Sequence, residues 1–175
     1  GPLKIDLGNG KSYQPVNYDK NFRGSVLARR ALANSLNVPS VNLFMKVGIP
    51  NTLEMAQRLG INNLREASDY GPSLVLGAGE VKLLELTNVY STFANQGLKH
   101  EPTLFTKIEN KYGEVVFTHE AKPTKALDED VSFLISSILS DEKTRAEVFG
   151  RALNISFPAA VKTGTTTDYR DSWTV

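Results

Sequence analysis

Apolar residues along the chain recur mainly at helical spacing, with extended alternation confined to a few short stretches. Val26, Leu27, Ala31 and Leu32, entered from Ser25 as an N-cap, predict a short amphipathic helix that stops before Pro39. A second helix starts at Pro39, carries Val41, Leu43, Phe44 and Met45, and ends at Gly48. Between the two lies Ser35-Leu36-Asn37. A third covers residues 51–59, with Asn51 or Thr52 as cap and Gly60 as stop. Ahead of them, residues 1–24 show no period, and turn signals at Gly8-Asn-Gly10, Pro15 and Gly24 predict a loop-rich lead-in.

Residues 60–82 read as a loop around a short buried segment at 74–76. Gly77-Ala-Gly79 within it does not open a phosphate loop, because Lys82 stands where a third glycine belongs and no Gly-Lys-Ser/Thr follows. Leu83, Leu84, Leu86, Val89, Tyr90 and Phe93 then predict a buried helix ending at Asn95-Gln-Gly97, its aromatic stripe serving as core. Residues 104–109 and 114–118 are strands about the turn Asn110-Lys-Tyr-Gly113. Asp128 caps a helix bearing Val131, Leu134, Ile135, Ile138 and Leu139, which continues through residues 144–149 to Gly150. The whole is one α+β domain, a sheet packed by several helices.

The C-terminal stretch carries the most chemistry. Ala159-Ala-Val161 feeds Lys162-Thr163-Gly164-Thr165-Thr166, an extended run, while Thr167-Asp168-Tyr169-Arg170 is a reversal and Asp171-Ser-Trp173-Thr-Val175 a return strand. In a strand Lys162 and Gly164 face one way and Thr163 and Thr165 the other, with the glycine leaving room for a ligand backbone. An ammonium beside two hydroxyls on a sheet edge suits a carboxylate; the same pattern also fits an ordinary edge strand with a solvated lysine.

Composition narrows the partners. The 175 residues carry 20 basic and 19 acidic side chains, so no basic block attracts nucleic acid or an anionic membrane surface. A hydrophobic share of 41% is that of a globular core rather than a disordered chain. There is no cysteine, hence no disulfide framework or thiolate chemistry. His100 and His119 have no partners at metal-ligand spacing and read as surface residues, so neither metal nor cofactor is expected. No apolar run is long enough for a membrane span. Gly1-Pro2 is read either as a tag scar or as the cut end of a longer sequence.

Two short motifs remain. Ser-x-Asn occurs at Ser35 to Asn37 and at Ser40 to Asn42, and Ser-x-x-Lys once, at Ser140 to Lys143; patterns that fix two residues carry little information alone, whereas Lys162-Thr163-Gly164 fixes three. Taken with its flanks, Arg30-Ala-Leu-Ala-Asn-Ser35-Leu-Asn37-Val-Pro39-Ser-Val-Asn-Leu43 resembles the segment of penicillin-binding proteins that carries their second motif. Gly79-Glu-Val-Lys-Leu-Leu-Glu-Leu-Thr-Asn-Val-Tyr90 with Phe93-Ala-Asn-Gln-Gly97 resembles their long central helix, and Lys162-Thr-Gly-Thr-Thr166 with Asp171-Ser-Trp173 their third motif and its return strand. The likeness runs from about Tyr13 to Val175 and is nearest to the class A, bifunctional type, particularly at residues 134–141, Arg145-Ala146 and Phe149-Gly150.

The resemblance implies a serine β-lactamase/transpeptidase-like fold with an antiparallel sheet, incomplete over residues 1–175: the upstream Ser-x-x-Lys segment and the last strands are expected outside this chain. Ser140-x-x-Lys143 lies downstream of Ser35, where the resemblance assigns no catalytic role. It further implies D,D-transpeptidation, in which an upstream serine attacks the penultimate D-Ala carbonyl of a peptidoglycan stem peptide, releases terminal D-Ala, and passes the acyl group to an amine of a neighbouring stem. Ser35 then relays protons, Asn37 donates to the substrate amide and steadies the missing lysine, and Lys162 adds positive potential. Thr163 and Thr165 bind the substrate carboxylate, and Gly164 keeps the approach open. Asp171 and Trp173 are expected to be structural. The partners implied are stem peptides and β-lactam antibiotics, with an N-terminal glycosyltransferase domain and a membrane anchor outside this chain and an extracytoplasmic location. A non-catalytic sensor or binding domain of the same build is the alternative, and a serine β-lactamase a more distant one.

Overall fold

The computed structural model describes residues 2–166 and 171–175. The reversal expected at residues 167–170 lies outside them. In chain order the elements are β1 (Ile5–Gly8), β2 (Lys11–Tyr13), α1 (Ala28–Ala33), α2 (Asn37–Val47), α3 (Ile49–Leu59), two 3-10 turns (Ala67–Asp69 and Pro72–Leu76), α4 (Leu83–Ala94), β3 (Leu98–Lys99), β4 (Lys107–Glu109), β5 (Val115–Thr118), β6 (Thr124–Lys125), α5 (Glu129–Leu139), α6 (Glu142–Phe149), β7 (Thr163–Thr165) and β8 (Ser172–Thr174). Among the described residues pairing is antiparallel, in four separate two-stranded ladders: β1 with β2, β3 with β6, β4 with β5, and β7 with β8.

Several elements differ from the sequence reading. The lead-in holds a hairpin, β1–β2, turned at Asn9-Gly10, where both residues take positive φ (+51° and +72°) as the tightest hairpin turns require. α1 begins at Ala28 with Leu27, not Ser25, in the cap position, and α2 begins at Asn37, ahead of Pro39. α3 starts at Ile49 because Pro50 is tolerated in a first turn, where its missing N–H costs nothing. In the 3-10 turn at Pro72–Leu76 it is Pro72 that is buried, while Val75 is exposed. The expected single helix after Asp128 is two. Ser140 ends α5, and Asp141 restarts the chain as the cap of α6, accepting from the Thr144 amide at 2.9 Å. The Asp128 carboxylate makes no cap bond and pairs instead with Lys125, 2.6 Å away. Residues 104–106 and 159–162 fall outside the assigned strands.

The core sits where α3, α4 and the β3–β6 ladder meet: Leu59, Val89, Ala126 and Leu127 cluster, with Ile61 and Phe93 against them. Tyr90 and Phe93 stack edge to face, 5.8 Å between centroids. Leu83, Leu84, Val131 and Leu134, expected inside, are exposed. A second buried group, Ala33, Leu36, Val41 and Phe44, joins α1 to α2, and α1 packs on both α5 and α6. Two ion-pair networks hold the lead-in and α1 to α6. Arg23 binds Asp19 and Glu147, Arg30 binds Glu147 through two bonds of 2.6 and 2.9 Å, and Arg29 reaches Asp141 and the Ser137 carbonyl.

Candidate active site

Ser35 stands at the end of α1 in a conformation few serines adopt. Its φ is +52°, the left-handed region, and its amide donates to the Leu32 carbonyl at 3.1 Å while the Leu36 amide reaches back to Ala31 at 2.9 Å. Those two bonds are the pattern in which a left-handed residue closes a helix. Gly60 closes α3 with the same pair of bonds, its amide to Gln57 and that of Ile61 to Ala56, both at 2.9 Å. Glycine takes this conformation without steric cost, whereas a serine there costs roughly 1–2 kcal/mol. A hydroxyl held in place by such a turn is pre-aimed.

It is aimed at Lys162. The Lys162 ammonium donates to Ser35 Oγ at 2.7 Å and to the Thr163 carbonyl at 2.5 Å. The lysine's backbone is fixed by a reciprocal pair with Val175, N–H to carbonyl at 2.8 and 3.0 Å, which extends the β7–β8 ladder by one residue. Desolvation by burial holds the Lys162 ammonium below the usual lysine range, and among the described residues no carboxylate lies within ion-pair distance of it. A lysine so perturbed and hydrogen-bonded to a hydroxyl can give or take a proton through that hydroxyl.

On the Lys162 side of the pair lies a cavity of about 360 Å³, whose lining includes Lys162 but not Ser35. Lys162, Thr163, Gly164 and Thr165 line it together with Leu76 of the 3-10 turn, Gly79 of the loop that follows, and Leu86 and Tyr90 of α4. Across the ladder Gly164 is opposite Trp173, and Thr165 opposite Ser172. Thr163, Gly164 and Thr165 therefore gather with Lys162, as do Asp171 and Trp173, which sequence reading had given to structure alone. The Asp171 amide donates to Thr166 Oγ1 at 2.8 Å, closing the ladder. Asn37 is not brought in. As the first residue of α2, it turns its carboxamide to the lead-in and donates to the Val16 carbonyl at 2.8 Å. Next to it, buried Asn17 accepts from the Val38 amide at 3.0 Å and donates to Asn21 at 2.7 Å, pinning the lead-in to the start of α2.

Tyr90, part of the stripe expected to serve as core, lines the cavity; burial raises its phenol above the usual tyrosine range. The signal that could have found it was chemical rather than periodic, since a buried tyrosine keeps a polar end in need of a partner or a wet wall. The other short motifs lie elsewhere. Ser40 Oγ and Ser140 Oγ each donate 2.8 Å back to the carbonyl four residues earlier, Leu36 and Ser136, and Ser140 sits with Lys143 on an open surface depression. Among the described residues no cluster of three or more His, Cys, Asp or Glu could hold a metal, and no helix is long and apolar enough to cross a membrane.

The family profile described as "Penicillin binding protein transpeptidase domain" matches residues 3–173. The chain is 37% identical over 175 residues to penicillin-binding protein 1A of Aquifex aeolicus, covering 97% of this chain and 23% of that protein. It is 30% identical over 177 residues to penicillin-binding protein 1B of Haemophilus influenzae, covering 99% and 22%. The chain thus spans less than a quarter of the length of these relatives. Its fold matches the crystal structure of penicillin-binding protein 1A from Haemophilus influenzae with a TM-score of 0.79 at 22% identity, over 99% of this chain and 31% of that one. The D,D-transpeptidase domain of a peptidoglycan glycosyltransferase from Eggerthella lenta matches at 0.75 and 21%, over 99% and 49%.

Proposed function

Because the chain belongs to the penicillin-binding protein transpeptidase domain family, we propose that it supplies the Ser35 and Lys162 side of a serine acyl-transfer site that cross-links peptidoglycan stem peptides and is acylated by β-lactams. The observation that carries this reading is the 2.7 Å contact between Lys162 Nζ and Ser35 Oγ beside a threonine-lined cavity. The attacking serine belongs to a Ser-x-x-Lys segment outside residues 1–175. The lysine of that segment takes the serine's hydroxyl proton as the serine oxygen bonds to the penultimate D-Ala carbonyl carbon, the bond from that carbon to the terminal D-Ala nitrogen breaks, and the departing amine takes a proton relayed through Ser35 from Lys162. An acceptor amine then attacks the ester carbonyl, giving its proton back through Ser35 to Lys162 and forming the cross-link, while the serine oxygen leaves and regains its proton from the lysine of the Ser-x-x-Lys segment. Thr163 and Thr165 hold the substrate carboxylate, Lys162 adds positive potential, and Gly164 leaves room for the peptide backbone. Asn37 joins the substrate amide only if its carboxamide leaves Val16, so its role depends on a rearrangement of the lead-in.

We further propose that the domain sits in a longer, membrane-anchored protein on the outer side of the membrane, alongside a glycosyltransferase domain; the small share of its relatives' length that the chain covers supports the longer protein, and the naming of the Eggerthella lenta protein as a peptidoglycan glycosyltransferase supports the second domain. The test is acylation of the full-length protein by a fluorescent penicillin, with the labelled peptide identified by mass spectrometry. An adduct on a serine outside residues 1–175 is expected. An adduct on Ser35 or Ser140 overturns the assignment of roles, and no adduct at all favours a binding or sensor domain.

A further inference from the structure

Two buried polar side chains outside the cavity converge on a single turn of α6 and lead back to the two members of the Ser35–Lys162 pair. Asn34, 1% exposed, immediately precedes Ser35. Its carboxamide donates to the Arg30 carbonyl at 3.1 Å and the Thr144 carbonyl at 2.9 Å, and accepts from the Val148 amide at 3.1 Å. Arg145, 3% exposed, lies between those two α6 positions. It donates at 2.7 Å to the Leu139 carbonyl, which also accepts the Val161 amide at 3.0 Å, and Val161 immediately precedes Lys162. One route from α6 therefore ends one residue before Ser35, and the other one residue before Lys162. A guanidinium buried for the sake of a backbone carbonyl is a costly way to fill space, since an apolar side chain of similar volume is commonly as stable or more so. What arginine adds here is reach and direction.

We propose that Asn34 and Arg145 are positioning residues which, by clamping both chain segments to α6, set the separation of Ser35 Oγ and Lys162 Nζ. The proposal rests on the acyl-transfer reading of that pair. Its test uses the full-length protein with Asn34→Ala and Arg145→Ala, each alone and combined with Lys162→Ala. Acylation by a fluorescent penicillin is measured beside trace acetylation of Lys162 by acetic anhydride over a pH series, quantified by mass spectrometry, so that the intrinsic reactivity of the lysine is separated from its titration.

Each single variant is expected to slow acylation on the order of 10- to 100-fold, the effect of displacing a reacting group by about an ångström. In the Lys162→Ala background the same change should cost less than about two-fold, because the partner it acts through is gone. Corrected for the smaller free-amine fraction that accompanies the return of its pKa to the usual lysine range, Lys162 should react several-fold faster with the anhydride once released. Slowing that is as large without Lys162 as with it marks a scaffold role and overturns the proposal, as does unchanged Lys162 reactivity in both variants. Should Arg145→Ala not fold, Arg145→Lys keeps the charge but shortens the reach, and must show the same coupling to Lys162; full activity with unchanged Lys162 reactivity overturns the proposal. If the wild-type protein is not acylated, the functional reading falls and Lys162 reactivity decides alone: raised in the variants it upholds the clamp, unchanged it removes it.

Discussion

Lys162 Nζ and Ser35 Oγ are 2.7 Å apart in space and 127 residues apart in the chain. Each is held from its own side, Ser35 by a left-handed turn that closes α1 and Lys162 by its backbone pair with Val175. The contact is thus a property of two backbones as much as of two side chains.

If this pair is the proton relay, Ser35→Ala and Lys162→Ala in the full-length protein should each slow penicillin acylation by about 100-fold or more, within the range that a positioned acid–base group contributes. Ser40→Ala and Ser140→Ala should leave the rate within about two-fold, since both hydroxyls are spent on the preceding helical turn. Acylation rates in which Ser40→Ala is as damaging as Ser35→Ala would move the site to the other Ser-x-Asn.

Ser35→Gly separates function from folding. At φ +52° a glycine is free of the strain that serine bears, so thermal or denaturant unfolding should show unchanged stability or a gain of up to about 1 kcal/mol. Acylation should nevertheless fall as far as in Ser35→Ala. A clear loss of stability would mean that the hydroxyl, rather than the turn, holds this corner together.

Gly97 is the glycine least open to change. Its φ is +87°, and a Cβ there would stand 2.4 Å from the Leu127 carbonyl oxygen, which is backbone and cannot swing aside. Its own carbonyl also accepts the amides of Ala126 and Leu127, at 2.9 and 3.2 Å. Gly97→Ala should cost more than about 2 kcal/mol by chemical denaturation, combining strain with loss of packing beside the core cluster. Gly113→Ala, with a similar φ of +83° and open space around it, should cost only about 1 kcal/mol. Equal losses at the two sites would contradict the packing argument.

Acid should loosen the lead-in. Hydrogen bonds from Arg30 and Arg23 hold Glu147 down at about 2, and those from Arg23 and the Asn21 backbone hold Asp19 at about 2. Both folded values lie below the usual carboxylate range, so the unfolded chain binds more protons in this window. The stabilisation is complete above about pH 4.5 and is lost as pH falls toward about 2. Melting temperatures measured between pH 6 and pH 2 should decline, and Glu147→Gln should lower the neutral-pH value while flattening the acid limb. Both carboxylates remain partly exposed, at 25% and 31%, so added salt should weaken the effect. An acid limb of the same slope in Glu147→Gln would place the sensitivity elsewhere.

Local signals carried much of the fold. Gly48 and Gly60 stop α2 and α3, and the turn Asn110-Lys-Tyr-Gly113 joins β4 to β5, because each depends on backbone preferences that a few neighbouring residues settle by themselves. The strand carrying Thr163 and Thr165, with Lys162 just ahead of it, was legible for the same reason. Where the signal was short or shared, it misled. β1 and β2, of four and three residues, are too brief for an alternating pattern to stand out, and the apolar period runs from α5 toward α6 without registering that Asp141 prefers the Thr144 amide to a helical role. The site itself needed the tertiary structure. Whether Asn37 turns to the cavity or to Val16, whether Tyr90 lies in a core or along a wall, and whether Ser35 meets Lys162 all depend on how elements distant in sequence pack together. Composition and spacing specify which torsions a segment favours; the distance between residues 127 apart is decided by burial and hydrogen bonding summed over every element between them.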